Sequence, residues 1–243
     1  MKLSVIMPVY NEEKTIAEII RRVKAVNLKK EIIIVEDGST DKTKEILKEI
    51  IKQNDSQNDS DNKITIINQR KRHGKGTAIR RALKEVTGDI VIIQDADLEY
   101  NPAEISKVIA PIMAKKSKVV YGSRVKGHGK PFSSLMGWIY YLGGFSLSLF
   151  VNLLYQAKIT DEPTCYKAFS TEVLKNVQLN CQNFEFCPEV TAKVLKKGIK
   201  ISEVPITYHP RSLREGKKIG LKDWFIAVWT LLKYRFYNWF IND

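Results

Sequence analysis

Cysteine and histidine are scarce here, three of each among 243 residues. Cys165, Cys181 and Cys187 are odd in number and form no CxxC pair, which argues against a disulfide framework and a thiolate zinc site. A reducing cytoplasm is the expected home for such a chain. No GxxxxGK[ST] loop is present, so a P-loop nucleotide site is excluded. The apolar stretch in Met1–Pro8 is too short for a signal peptide, and Asn11-Glu12-Glu13 follows at once. No internal repeat or linker interrupts the chain, so a single domain is the simplest reading. Residues 131–157 carry no charge and have the length of a bilayer span. Ser133, Ser134, Gly143, Gly144, Ser146, Ser148 and Asn152 dilute that apolarity, so a pair of apolar or interfacial helices is expected instead.

What is abundant is positive charge. Forty Lys and Arg against 27 Asp and Glu leave a net charge of +13. That excess favours a phosphate partner, whether nucleotide, nucleic acid or anionic lipid, without selecting among them. The 44% hydrophobic content supports a sizeable core. The first half alternates predicted strands at 3–9, 31–35, 63–68 and 89–94 with helices at 13–26, 41–52 and 76–86, and residues 53–62 read as a polar loop. Several strands are continuous Ile/Val runs, which indicates burial on both faces and a parallel sheet covered by helices. Later come a strand at 118–121 and, as a mixed extension of the sheet, strands at 164–169 and 199–206 with a helix at 188–197 between them. The expectation is an α/β fold with a mostly parallel central sheet. Ligands of such sheets sit beyond the carboxyl ends of the strands, which singles out residues 8–12, 36–40, 70–76 and 95–99.

The fourth strand ends on Asp95, Asp97 and Glu99. On extended backbone, side chains two residues apart point the same way, roughly 6.6 Å from base to base at ~3.3 Å per residue. One carboxylate can then grip Mg²⁺ or Mn²⁺ directly and the other through water or substrate. A solvated loop would also carry such acids, so the neighbouring loops must decide. Asp37 stands at a strand end within Glu36-Asp37-Gly38-Ser39, where it can accept from a base or ribose, although this triplet is also a common turn. In His73-Gly74-Lys75-Gly76 the glycines allow close backbone approach, and Lys75 can meet phosphate near a helix N-terminus.

Taken in order, Pro8-Val9-Tyr10-Asn11-Glu12, VEDGS at 35–39, HGKG at 73–76 and QDADLEY at 94–100 resemble the family-2 glycosyltransferases with the GT-A nucleotide-sugar fold. The likeness continues through Tyr121-Gly122-Ser123-Arg124, DEPTCYK at 161–167 and EGKKIG at 215–220, and these later motifs resemble the polyprenyl-phosphate branch. It implies residues 1–122 for the nucleotide sugar, 123–220 for the acceptor, and an aromatic–basic interfacial helix at 221–243. Pro8, Tyr10, Glu12, Val35, Asp37, Lys75, Asp95, Ala96 and Asp97 would surround the donor. Asp95, Asp97 and Glu99 would hold Mg²⁺ or Mn²⁺. Arg124, Arg211, Arg214 and Lys217 would meet the phosphates of donor or acceptor. Catalytic roles fall to Asp97, Arg124 and Asp161, the last as first candidate for a base, with Glu189 after it.

The implied activity is metal-dependent, inverting transfer of a hexose to polyprenyl or dolichyl phosphate. UDP-glucose is favoured as donor and GDP-mannose is the alternative. Apolar residues at 132–155 and aromatics with lysines at 221–241 suit a membrane surface, so a peripheral enzyme on the cytoplasmic face is expected, with no nucleic-acid partner. Rival readings are a basic nucleic-acid binder and a noncatalytic membrane scaffold.

Overall fold

The computed structural model describes residues 1–56, 62–127, 135–211 and 220–236. Its strands are β1 (Leu3–Val9), β2 (Lys30–Glu36), β3 (Asn62–Asn68), β4 (Ile90–Ile93), β5 (Val119–Ser123), β6 (Lys167–Ser170) and β7 (Ile201–Pro205). The helices are α1 (Ile16–Lys24), α2 (Thr43–Ser56), α3 (Lys75–Ala82), α4 (Ile105–Met113), α5 (Arg124–Gly127), α6 (Leu135–Tyr155), α7 (Thr171–Lys175), α8 (Phe186–Lys196) and α9 (Leu221–Phe236). One seven-stranded sheet runs in the order β3-β2-β1-β4-β6-β5-β7. The pairs β3·β2, β2·β1, β1·β4 and β5·β7 are parallel, whereas β6 lies antiparallel to both β4 and β5.

Every residue of β2 and of β4 is buried, as their unbroken aliphatic runs require. One core cluster joins Val5, Met7, Ile32 and Ile92 to Ile16, Ile20 and Ile109 from α1 and α4. On the opposite face, Ile6, Ile33, Ile93 and Phe169 pack under Ala78, Ile79, Phe186 and Val190 from α3 and α8. A third cluster, with Leu147, Val151, Ala192, Ala227 and Leu231, ties α6, α8 and α9 together.

Several boundaries differ from the sequence reading. Helix α2 continues through Gln53 to Ser56, so part of the expected polar loop is helical, and residues 57–61 lie outside the described region. The strand expected at 164–169 begins only at Lys167. In place of a helix pair, the described part of the uncharged stretch is one helix of 21 residues. Among the described residues no helix is long and apolar enough to cross a membrane.

At the amino edge of the sheet, Glu31 is 4% exposed and accepts hydrogen bonds from Lys2 Nζ, Ser4 Oγ, Thr87 Oγ1 and the Thr87 and Gly88 amides. Burial alone would raise its carboxyl, but these donors outweigh burial and hold it at about 2. A depressed folded-state value stabilises fully above the unfolded carboxylate range and is lost as pH falls from about 4.5 to about 2. Glu31→Gln should therefore cost on the order of 2 kcal/mol at pH 7. Denaturant melts of both proteins from pH 7 to pH 2 should converge at the acid end, and parallel curves would refute the assignment.

Candidate active site

The carboxyl ends of β1, β2 and β4 open into a cleft lined by Pro8, Tyr10, Glu12, Asp37, Lys75, Asp95, Ala96, Asp97 and Glu99. Arg72, Arg124, Pro163, Cys165, Asn183, Phe184, Tyr208 and Arg211 complete the wall. Loops from both halves of the chain are braced against one another to make it. Asn11 sits at φ 53°, where asparagine is better tolerated than most side chains. It clasps the next loop, its Oδ1 accepting from the Thr40 amide at 2.9 Å while its own amide donates to Ser39 Oγ at 3.0 Å.

Asp37 does more to shape the cleft than the motif alone indicates. Both its oxygens accept backbone amides, from His73 and Gly74, at 2.7 Å each. The carboxylate thereby pins the loop that carries Lys75. Gly74 holds φ at 94°, and a Cβ there would stand 2.2 Å from Asn183 Oδ1. That close approach lets the Asn183 and Gln182 carbonyls accept from the Gly76 and Thr77 amides. The first turn of α3 is thus capped by the chain's own carbonyls, contrary to the phosphate site expected there. Lys75 instead pairs with Asp95, its Nζ 2.6 and 2.8 Å from the two carboxylate oxygens. Burial would pull the ammonium down, but Asp95 more than offsets it, and Lys75 stays well above its ordinary value.

The acidic segment is a turn rather than extended strand, so the spacing inferred for an extended pair does not apply. Strand β4 ends at Ile93, Leu98 adopts φ 63°, and the Glu99 amide donates to Asp97 Oδ1 at 3.1 Å. Asp95 and Asp97 both still face the cleft. Burial, helped by Asp95 and Glu99 and opposed by Arg211, pushes the Asp97 carboxyl up to about 7. Glu99 points another way. It accepts from Tyr208 Oη at 2.6 Å and from the Arg211 amide at 2.8 Å, anchoring the 208–211 strap rather than presenting free oxygens to a metal. Arg211 crosses the cleft, with Nη1 3.1 Å from Glu12 Oε2 and Nη2 3.1 Å from Asp97 Oδ2. The expected phosphate ligands Arg214 and Lys217 lie outside the described residues.

Arg124 and Asp161 form a bidentate pair at 2.8 and 2.7 Å, and the Arg124 amide also donates to Asp161. The guanidinium lies 4.9 Å from the centre of the Tyr208 ring. Burial would lower Arg124, but Asp161 outweighs it and holds the guanidinium firmly charged. With both oxygens engaged and 3% exposure, Asp161 is an anchor for Arg124 and not a base facing the cleft. Glu189, the second candidate base, is 1% exposed and accepts from the Asn180 and Cys181 amides and from Tyr234 Oη. It is not a cleft residue. Neither is Val35, which is fully buried in the cluster beneath α3 because its side chain takes the inner face of β2.

The sequence reading missed Arg72, Asn183, Phe184 and Tyr208. Arg72 had a signal in the basic run Arg70-Lys71-Arg72 and now lies 4.4 Å over the Tyr10 ring, where the two form one wall of the cleft. Asn183, Phe184 and Tyr208 arrive by tertiary contact and had none.

Among the described residues no group of three His, Cys, Asp or Glu side chains is arranged to hold a metal ion. Asp95 and Asp97 nevertheless fit a hard divalent cation that completes its shell with substrate phosphates. Both are oxygen donors, and the crowding that raises Asp97 is relieved by added positive charge.

This arrangement, a largely parallel sheet with an Asp-x-Asp turn at its switch edge, has the fold of the GT-A glycosyltransferases. Mycobacterium tuberculosis glucosyl-3-phosphoglycerate synthase, solved with Mn²⁺, UDP and glucosyl-3-phosphoglycerate, superposes with a TM-score of 0.70 at 21% identity, over 96% of this chain and 79% of that one. S. aureus TarS, solved with UDP-GlcNAc, matches at TM-score 0.59 and 21% identity, over 93% of this chain and 64% of that one. Residues 4–178 match the model of glycosyl transferase family 2, and the chain belongs to that family. A UDP-N-acetylglucosamine–dolichyl-phosphate N-acetylglucosaminyltransferase of Methanococcus voltae is 37% identical over 88% of this chain and 89% of its own length. A dolichol-phosphate mannosyltransferase of Pyrococcus furiosus is 32% identical over 96% of this chain and 64% of its own. The low-salt glycan biosynthesis hexosyltransferase Agl6 of Haloferax volcanii is 31% identical over 86% of this chain, which spans about half of it (48%).

Asp161→Asn should leave the part-buried Arg124 guanidinium without its counter-charge, at a cost of about 2 kcal/mol in unfolding free energy. Lost turnover at unchanged stability in a chemical melt would instead restore Asp161 as a base.

Proposed function

We propose that this protein is an inverting glycosyltransferase that moves a hexose from a nucleotide sugar to polyprenyl or dolichyl phosphate at a membrane surface. The observation that carries this reading is the convergence of Asp95 and Asp97 with Lys75, Arg124 and Arg211 in one cleft. Breaking the bond from sugar C1 to a nucleoside diphosphate releases a polyanion, and catalysis then rests on placing positive charge where negative charge develops. A divalent cation on Asp95 and Asp97, Mg²⁺ or Mn²⁺, would neutralise the departing diphosphate. Arg124, rigid in its pair with Asp161, faces the same space and meets phosphate of donor or acceptor. Tyr10 and Arg72 offer a flat, charged wall to the nucleoside.

The acceptor, a lipid monophosphate with a second pKa near ~6, is already ionised at neutral pH. It needs no base, in keeping with the engagement of Asp161 and Glu189 elsewhere. A single in-line displacement inverts C1. For the donor, UDP-glucose is favoured on the likeness of GKG at 74–76 and DADLEY at 95–100 to the glucosyl branch, with GDP-mannose second. The relatives above bear names with N-acetylglucosamine and mannose, so the donor panel must include UDP-GlcNAc.

Two helices packed side by side would supply the membrane face. Helix α6 exposes Trp138, Leu142, Phe145, Leu149 and Leu153, and α9 exposes Leu221, Phe225, Ile226, Trp229 and Phe236. Not every aromatic of the tail belongs to that face. Trp224 donates to the Gly143 carbonyl and Ser146 Oγ, and Tyr234 is buried. Tyr237, Trp239 and Phe240 lie outside the described residues. Bulky side chains at i, i+4, i+7, i+11 and i+15 form one exposed stripe along α6, and Lys222, Lys233 and Arg235 flank α9 with charge suited to anionic headgroups. We place the enzyme on the cytoplasmic face.

Incubation with Mn²⁺ or Mg²⁺, short polyprenyl phosphate and radiolabelled UDP-glucose, UDP-GlcNAc or GDP-mannose should carry counts into the organic phase for one donor. Asp97→Ala should lower that transfer at least about 100-fold while liposome binding stays intact; equal activity would sink the assignment. Phe225→Glu with Trp229→Glu should weaken liposome co-sedimentation about tenfold or more, given the apolar area withdrawn from the interface. Unchanged sedimentation would remove the membrane face from the proposal.

A further inference from the structure

The two cleft arginines are held in opposite ways. Arg124 meets one carboxylate through a parallel fork at 2.7 and 2.8 Å. Arg211 is spread over three acids, at 3.1 Å from Glu12 and Asp97 and 3.7 Å from Glu99. Its Nε is buried without a hydrogen-bond partner. A guanidinium seated in a matched fork is hard to move; one shared among acids at long range is a replaceable counter-charge. The seat it fills is also the one a divalent cation needs. Asp97 Oδ1 already accepts the Glu99 amide, and Oδ2 accepts Arg211 Nη2. A dication on Asp97 and a guanidinium on the same carboxylate would repel each other across a few ångströms in a partly buried cleft.

We propose that Arg211 is a replaceable counter-cation, holding the Glu12–Asp97 seat until a divalent cation and a nucleoside diphosphate arrive together. This rests on the metal assignment made under the proposed function. Metal alone must displace Arg211 from Asp97 and leaves it only Glu12 and Glu99, with no new anion in exchange. A diphosphate offers the guanidinium a new anionic partner on the same side of the cleft, so nucleotide and metal reinforce each other's binding. Arg211, anchored to Glu99 through its backbone amide, can turn its side chain while its backbone stays in place.

The test is a Mn²⁺ titration of the nucleotide-free full chain, followed by loss of the free-ion EPR signal. Arg211→Gln should bind Mn²⁺ about tenfold more tightly than the parent, a typical size for such coupling. Lys48→Gln, which removes one exposed charge on α2, should leave affinity unchanged. Adding UDP should tighten Mn²⁺ binding strongly in the parent and by a smaller factor in Arg211→Gln. Arg211→Lys keeps the charge but cannot bridge both acids, so it should fall between, and it carries the test if Arg211→Gln does not fold. Equal or weaker nucleotide-free affinity in both Arg211 variants overturns the proposal, as does an equal gain in Lys48→Gln. If the parent fails to bind Mn²⁺ even with UDP, the metal assignment itself falls; if it binds only with UDP but the variants gain nothing, the exchange alone is wrong.

Discussion

Carboxylates gathered in a partly buried cleft cannot stay ionised without positive charge beside them, and the rest of this site follows from that constraint. Glu12, Asp95, Asp97 and Glu99 all reach the carboxyl edge of the sheet. The protein supplies Lys75 to Asp95 and Arg211 to Glu12 and Asp97, and even so Asp97 is pushed toward neutrality. Such a site carries cations of its own.

The same pairing economy holds the two halves of the chain together. Glu99, from the turn after β4, takes the Tyr208 hydroxyl and the Arg211 amide beyond β7. Carbonyls at 182–183 cap α3, and Asp37 pins the loop between that cap and β3. Asp161 and Glu203 do this for Arg124: Glu203 accepts the Thr160 and Asp161 amides, and Asp161 then grips the guanidinium. Residues that a motif reading casts as ligands or bases therefore split into two kinds. Some face the cleft and pair with a cation across it. Others are spent on holding those in place, and binding geometry is only as exact as that support.

The parallel sheet of the first half and the edge that carries the site were legible in the sequence, because unbroken Ile/Val runs and the acids that end them are local patterns; the order of strands in the sheet was not. A mixed extension was legible over 164–169 and 199–206, but not that β6 is the strand that reverses, since four residues, three of them buried, between a turn and a helix read the same in either direction. Asp95, Asp97 and Lys75 were singled out at strand ends and loops, Arg124 and Arg211 by the family resemblance, and all five line the cleft, whereas Val35 does not, because motif membership does not say which face of a strand a residue takes. Glu99 and Asp161 were singled out as site residues, but the partners that occupy each carboxylate were not legible, because they are remote in sequence.

What the chain determined by itself is the α/β alternation, the excess of positive charge and the position of the acids at strand ends, since each depends on a few neighbouring residues. Tertiary structure alone decided which cation each acid receives. Arg211 is 199 positions from Glu12 and 114 from Asp97, and Tyr208 is 109 from Glu99. Periodicity carries no information over such separations; only the closing of the sheet brings those charges within reach and assigns their partners.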